Sequence, residues 1–177
     1  MTLIYEPAED SYLMQEVLEK NISNQKIKVL EIWAGSGILL QVLLNINIKD
    51  VMWADINKNA VKYCSDSGFN CIYYNLFSKI RNNKKFDLII FNPPYLPKDK
   101  DDFEDKESKL ATTGGKWGSE VINRFLKQAK SRLTKNGKIF LLTSSLTERI
   151  NWMNYKKRIL VKKKLFFEEL YVWELKL

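Results

Sequence analysis

Four short apolar runs, separated by turns or by segments of helical spacing, constrain this chain more than anything else in it. Residues 28–32 (Lys-Val-Leu-Glu-Ile), 51–54 (Val-Met-Trp-Ala), 71–74 (Cys-Ile-Tyr-Tyr) and 86–91 (Phe-Asp-Leu-Ile-Ile-Phe) read as buried strands. Residues 38–44 and 57–66 read as helices, the second capped by Asn57. A helix over 8–20 precedes the first strand, with Tyr12, Leu13, Val17 and Leu18 on one side. Before it lies an extended lead, 2–6, broken at Pro7. Downstream, the polar stretch 98–113 reads as a loop, and 118–133 as a helix through Val121, Ile122, Phe125, Leu126, Ala129 and Leu133. Asn136-Gly137 reads as a turn, 138–143 as a fifth strand, 146–158 as a weaker helix, and 159–166 and 169–175 as two closing strands. Strands alternating with helices build a parallel sheet covered on both faces. No linker or repeat divides the 177 residues, so one α/β domain over 1–177 is expected.

Such sheets bind ligands at the carboxyl ends of their strands. The segment Glu31-Ile32-Trp33-Ala34-Gly35-Ser36-Gly37 joins the first strand to the next helix. Glycine permits the sharp turn and a close approach by a ligand, and a helix start offers free N–H groups. Asp55 closes the second strand, where a carboxylate can accept hydrogen bonds from both ribose hydroxyls. The pair suits a dinucleotide or an adenosyl cofactor; the plainer alternative is a strand-to-helix turn and a helix-capping Asp. Trp33 interrupts the turn, and its indole must swing out of the pocket, pack against a cofactor or block it.

Asn92-Pro93-Pro94-Tyr95 ends the fourth strand and carries the most specific chemistry. An amide nitrogen is a poor nucleophile because its lone pair is delocalised. The Asn92 side-chain oxygen and the Pro93 carbonyl can each accept one N–H, which orients the nitrogen and stabilises the positive charge growing on it. Prolines stiffen the loop in advance. Tyr95 offers an aromatic wall. A Pro-Pro turn with Asn as an ordinary turn residue is the structural alternative.

The chain contains no histidine, which excludes a Ser-His-Asp triad, a Cys-His pair and any His-ligated metal. Its two cysteines, Cys64 and Cys71, form no CxxC and read as small apolar residues in a reducing, cytoplasmic compartment. No apolar run is long enough to span a bilayer. The net charge of +8 leaves open a solvated lysine-rich surface or a basic face for nucleic acid or an acidic partner. Asp87, within the fourth strand, reads as a residue facing a helix end or solvent, with a pocket acid as the alternative. The charged stretch from Lys98 to Glu107 reads as solvated, or as a lid beside the Asn-Pro-Pro-Tyr loop.

Taken together, these segments resemble the HemK-type methyltransferases, in particular their short archaeal and eukaryotic branch. Tyr5-Glu6-Pro7-Ala8-Glu9-Asp10-Ser11 resembles the N-terminal signature that closes over the cofactor. Glu31 to Gly37 resembles the first cofactor motif, with Trp33 where a glycine is usual. Ala54-Asp55-Ile56-Asn57 resembles the ribose-binding strand end, and Asn75-Leu76-Phe77 an Asp-Leu-Phe adenine-side motif with Asn replacing Asp. Residues 86–95 resemble the catalytic segment, 114–122 (Gly-Gly-Lys-Trp-Gly-Ser-Glu-Val-Ile) a characteristic helix start, and 164–170 the last strand pair. The resemblance implies a Rossmann-like class I fold with a mostly parallel seven-stranded sheet and an antiparallel last strand. It implies S-adenosyl-L-methionine as cofactor, held by Tyr5, Pro7, Asp10, Ser11, Glu31, Gly35, Gly37, Asp55, Ile56, Asn75, Leu76 and Asn92, with Asn92, Pro93 and Tyr95 at the reacting amide. It implies a protein substrate, the glutamine of the Gly-Gly-Gln motif in class I release factors, and a small zinc-binding activator subunit along the third strand at Cys71, Ile72, Tyr73 and Tyr74. No metal site is expected in the chain itself. An adenine N6-methyltransferase on DNA or RNA and a non-catalytic binding subunit with a closed pocket are the competing readings.

Overall fold

The structure, a computed structural model, describes residues 4–23, 26–98 and 113–177. Helix α1 (Glu9–Asn21) leads into β1 (Val29–Ile32), α2 (Ile38–Asn45), β2 (Val51–Asp55), α3 (Lys58–Asp66), β3 (Cys71–Tyr73) and β4 (Phe86–Phe91). Strands β5 (Leu96–Pro97) and β6 (Thr113–Gly115) pair with each other outside the main sheet. Helix α4 (Glu120–Ala129), a 3-10 turn (Lys130–Arg132), β7 (Leu133–Ser144), β8 (Lys156–Lys164) and β9 (Glu169–Lys176) complete the chain.

Seven strands form one sheet in the order β3-β2-β1-β4-β7-β9-β8. Its pairs are parallel except those of β9, which runs antiparallel to both β7 and β8. The period-2 alternation of β4 shows how the core is split. Leu88 and Ile90 face Leu13, Met14, Val17 and Leu18 of α1, whereas Ile89 and Phe91 face Ile122, Phe125 and Leu126 of α4. Both faces are buried, so the strand reads as a continuous apolar run rather than an alternating one. The apolar stripe of α1 rotates to include Met14, and Tyr12, expected on that side, is exposed.

Three expectations along the chain are corrected. Residues 146–158 form no helix. Their backbone groups bond outward: Glu148 N donates to Trp117 O (2.9 Å), Asn151 N to the Asn123 side chain (2.8 Å), and Asn123 Nδ2 to Arg149 O (3.2 Å). Arg149 and Met153 adopt left-handed φ of 57° and 51°, which breaks any helical ladder. Asn136-Gly137 is not a turn between elements but lies within β7, where pairing with β4 jumps from Phe86↔Leu133 to Leu88↔Lys138. The helix expected over 118–133 is shorter, because Leu133 already belongs to β7. Most of the expected 98–113 loop lies outside the described residues, and Thr113 begins β6.

The two sheet edges differ in chemistry. Edge strand β8 carries Lys156, Lys157, Arg158, Lys162, Lys163 and Lys164, and such charges deter pairing with another strand. Edge strand β3, Cys71-Ile72-Tyr73, carries no charge, and its Tyr73 is 42% exposed. Among the described residues, no helix is long and apolar enough to cross a membrane.

Candidate active site

Parallel pairing of β1 with β4 brings Ile32 beside Phe91, so the glycine turn and the Asn-Pro-Pro-Tyr loop leave the same edge of the sheet from adjacent strands. The N-terminal segment closes over both. A Cβ at Gly35 would meet the Tyr5 backbone oxygen at 3.6 Å. The Tyr5 hydroxyl donates to both Asp10 oxygens at 3.0 Å, and Ser11 N donates to Asp10 Oδ1 at 2.7 Å. Burial, and then the Asp10 charge, pushes the Tyr5 phenol far above its ordinary value, so it remains a donor at neutral pH.

Asp10, only 4% exposed, does more than close the lid. Asn92 Nδ2 donates to Asp10 Oδ2 at 2.9 Å. A carboxylate can only accept, so the NH2 end of the Asn92 amide must face it. The opposite end, Oδ1, is left buried with no hydrogen-bond partner. An unpaired buried acceptor is costly unless something fills it. Asp10 therefore fixes which way the Asn92 oxygen points. The sequence placed Asp10 among cofactor residues and gave no sign of this contact, because the two positions lie far apart in the chain.

The loop itself is clamped from behind. Thr147 Oγ1 donates to Tyr95 O at 2.9 Å, and Ser144 N donates to Thr147 Oγ1 at 3.1 Å. Pro93 and Pro94 are buried. A Cβ on Gly114 would stand 2.5 Å from Pro94 O and closer still to Gly118 O. Gly118, at φ 74°, packs its α-carbon against Tyr95 O. The Trp117 N–H is held by the Glu120 carboxylate at 3.1 Å. The sequence resembled a family helix start here, and the helix does begin at Glu120; the segment before it also forms the wall behind the Asn-Pro-Pro-Tyr loop. Two adjacent glycines with a third three residues on, in a chain with seven, were the available signal.

On the cofactor side, Asp55 is buried and its oxygens accept from Gly35 N (2.9 Å) and Asn57 N (2.7 Å). Burial raises its pKa, and these backbone N–H groups offset part of the rise. Ile56 and Pro7 are half-buried, Ser11 and Leu76 buried, and Asn75 is exposed beside them. Leu76 sits at φ 53°, a strained value for a branched side chain. Trp33 also adopts a left-handed φ, 62°, the conformation in which glycine is usual. Its indole lies edge-on to Phe91 at 5.6 Å, within the α4-side core. Neither Gly35 nor Gly37 has the indole beside it; their α-carbons face Tyr5 and Cys64. Asp87 lies at the other end of β4, bonded to Lys28 N and to the Thr134 hydroxyl, away from this site.

Glu31 is fully enclosed, with Oε2 unpartnered. Burial pushes it up to about 8 from an ordinary 4.5, and the Trp53 indole N–H facing it offsets part of that without reaching hydrogen-bond geometry. Between those two pH values the folded chain holds a proton that the unfolded chain has released. Stability should therefore fall as pH rises through this window, by at most about 1.4 kcal/mol per pH unit, and level off above about 8. Glu31→Gln keeps a neutral side chain at every pH, so its melting temperature should gain on the wild type steadily from pH 5 to 8. A constant difference across that range would show that Glu31 does not titrate as its burial requires.

Known proteins resemble this chain in sequence and in fold. A family model described as Eco57I restriction-modification methylase matches residues 12–170. The chain is 38% identical to a chain of Methanocaldococcus jannaschii described as a protein N5-glutamine methyltransferase, over 96% of this chain and 89% of that one. It is 27% identical to the eRF1 methyltransferase catalytic subunit mtq2 of Schizosaccharomyces pombe, over 78% of this chain and 71% of that one. Among solved structures, the E. cuniculi Mtq2–Trm112 complex, described as responsible for methylating the eRF1 translation termination factor, contains a chain that superposes with a TM-score of 0.77 at 28% identity, over 99% of both chains.

Proposed function

The chain belongs to the HemK-type methyltransferases, and from that premise we propose that it transfers a methyl group from S-adenosyl-L-methionine to the side-chain amide of a glutamine in a translation release factor, in the cytoplasm. The observation that carries the proposal is the buried, unpaired Oδ1 of Asn92, oriented by Asp10 beside the glycine turn.

The residues present fit the cofactor. Glu31 keeps an unpaired oxygen at the end of β1, Gly35 and Gly37 carry no side chains at the turn, and Asp55, whose two oxygens offer about four acceptor sites, keeps capacity beyond its backbone bonds. Bound there, the cofactor supplies a methyl group activated by a sulfonium. The chain's own residues do the rest. Asn92 Oδ1 and the Pro93 carbonyl take the two N–H bonds of the substrate amide and turn its nitrogen toward the methyl. As the nitrogen becomes cationic, both oxygens stabilise it. The Asp10 contact holds that arrangement before substrate arrives. Burial, and then the Asp10 and Glu168 charges, keeps the Tyr95 phenol protonated, so Tyr95 serves as a neutral wall. The proton leaves after transfer, and no histidine is required.

A partner fits the β3 edge. Of the two sheet edges, β8 is guarded by lysines and β3 is not, and an uncharged edge invites strand or loop addition. We assign that edge, Cys71 to Tyr74, to a small zinc-binding activator subunit. The related E. cuniculi chain was solved in complex with Trm112.

The test is labelled methyl transfer from S-adenosyl-L-methionine to an intact class I release factor and to an adenine-bearing oligonucleotide, with and without the activator. Label on the glutamine alone supports the proposal. Label on the oligonucleotide alone would overturn it in favour of adenine methylation; the family model that matches is described as a restriction-modification methylase.

A further inference from the structure

The turn joining β8 to β9 is closed by Leu165 N donating to Glu168 O at 2.8 Å, and its tip is Phe166-Phe167. Tight turns normally carry Gly, Asn, Asp or Ser. Here two phenylalanines stand 92% and 84% exposed, with their rings edge to face at 4.7 Å. Fold topology places this tip at the same end of the sheet as Asn92, because β7 ends there and β9 begins there, with Ser144 opposite Leu170. Only β7 separates β4 from β9, so the tip stands about 10–15 Å along the rim from the reactive loop.

The tip is rigidly mounted on that loop. The Ser144 hydroxyl donates to Glu168, Ser145 N donates to Glu169 O at 2.8 Å, and Glu169 N donates to the Ser145 hydroxyl at 3.0 Å. Ser144 N reaches Tyr95 O through the Thr147 hydroxyl. A continuous chain of bonds thus runs from Glu168 to Tyr95. On the other side, Lys163 of the same hairpin pairs with Glu9, at the start of the helix that carries Asp10. A cup of about 340 Å³ opens between Ser145 and the phenylalanines, with Lys164, Glu168 and Glu169 on its wall.

We propose that the Phe166-Phe167 tip and the adjoining cup are a docking surface for the folded protein that carries the acceptor amide, gripping an apolar surface beside the glutamine while the glutamine enters the site. The inference rests on the glutamine reading above. A short peptide would fill the catalytic slot without reaching the tip, whereas a folded substrate would engage both.

Kinetics of the wild type and Phe166→Ser/Phe167→Ser, each with the same activator, test it. The substrates are an intact class I release factor and the end-blocked tripeptide Gly-Gly-Gln, which at about 3.3–3.6 Å per residue is too short to span from the slot to the tip. Both side chains are exposed, so folding should be kept, and equal melting temperatures check this. The variant should raise KM for the intact protein at least tenfold with kcat unchanged, and leave peptide KM and cofactor affinity within twofold. Unchanged KM for the intact protein would overturn the proposal. So would vesicles of three parts phosphatidylcholine to one of phosphatidylglycerol that sediment the wild type but not the variant while KM stays the same, since the tip would then serve a lipid surface. A wild type that labels neither glutamine substrate removes the glutamine reading itself, a result separate from any difference between wild type and variant.

Discussion

Asn92→Ala should lower kcat by about two to three orders of magnitude, the cost typical of removing one preorganised polar group from a transition state, and leave cofactor affinity nearly intact. The reason is geometric. Asn92 Oδ1 is one of two acceptors that orient the reacting amide, and it is the only side-chain one in the loop. Its amide sits at the end of β4, already held by Asp10. Alanine keeps the backbone and both prolines, so the fold and the glycine turn should persist. Single-turnover methyl transfer and calorimetry with S-adenosyl-L-methionine measure the two quantities separately. A companion variant, Asp10→Leu, should lose less. Without the carboxylate the Asn92 amide can rotate, and it presents its oxygen only part of the time. Methyl transfer by Asn92→Ala at the wild-type rate would remove Asn92 from the mechanism.

Gly114→Ala should cost both stability and activity, although Gly114 touches neither proposed ligand. An added Cβ would lie 2.5 Å from Pro94 O and nearer still to Gly118 O, and both of these are backbone atoms that cannot swing aside. Overpacking of this kind costs about 1–3 kcal/mol, which for a chain of this size lowers the melting temperature by about 2–12 °C. The alternative to that penalty is a shift of the loop. A displacement of about 1 Å at Pro94 would misplace Asn92 and Tyr95 enough to cost about a hundredfold in kcat/KM. Gly68→Ala is the control. Gly68 also has a left-handed φ, 84°, but no atom lies within 4 Å of its added Cβ. That variant should lose about 1 kcal/mol of stability from backbone strain and keep its activity. If Gly114→Ala behaves like Gly68→Ala, the wall behind the reactive loop has more freedom than its packing allows.

Much of this molecule was legible in its sequence, for a local reason. Strand β4 was readable because six residues buried on both faces must all be apolar or neutralised. The one exception, Asp87, bonds Lys28 N and Thr134 at the strand's start. The Asn57 cap was readable because its side chain bonds the Asn59 N–H two residues on. Errors fell where bonds run between distant segments. The 146–158 stretch looks weakly helical alone, but Asn123 and the carbonyl of Trp117 take its backbone groups. Asn136-Gly137 looks like a turn, yet β4 draws it into a bulged strand.

What the sequence determined by itself was the set of reactive groups and their order at the strand ends: a glycine turn, an acidic residue, and Asn-Pro-Pro-Tyr. These follow from residue type and short-range spacing, which one stretch of chain contains in full. What only the tertiary structure decided was orientation. It fixed which end of the Asn92 amide stays unpaired by setting Asp10 against the nitrogen, laid the Trp33 indole edge-on to Phe91, and backed the prolines with Gly114 and Gly118. Each of these depends on a contact between segments far apart in the chain. The direction of a hydrogen bond belongs to the pair, so neither partner's local sequence can state it.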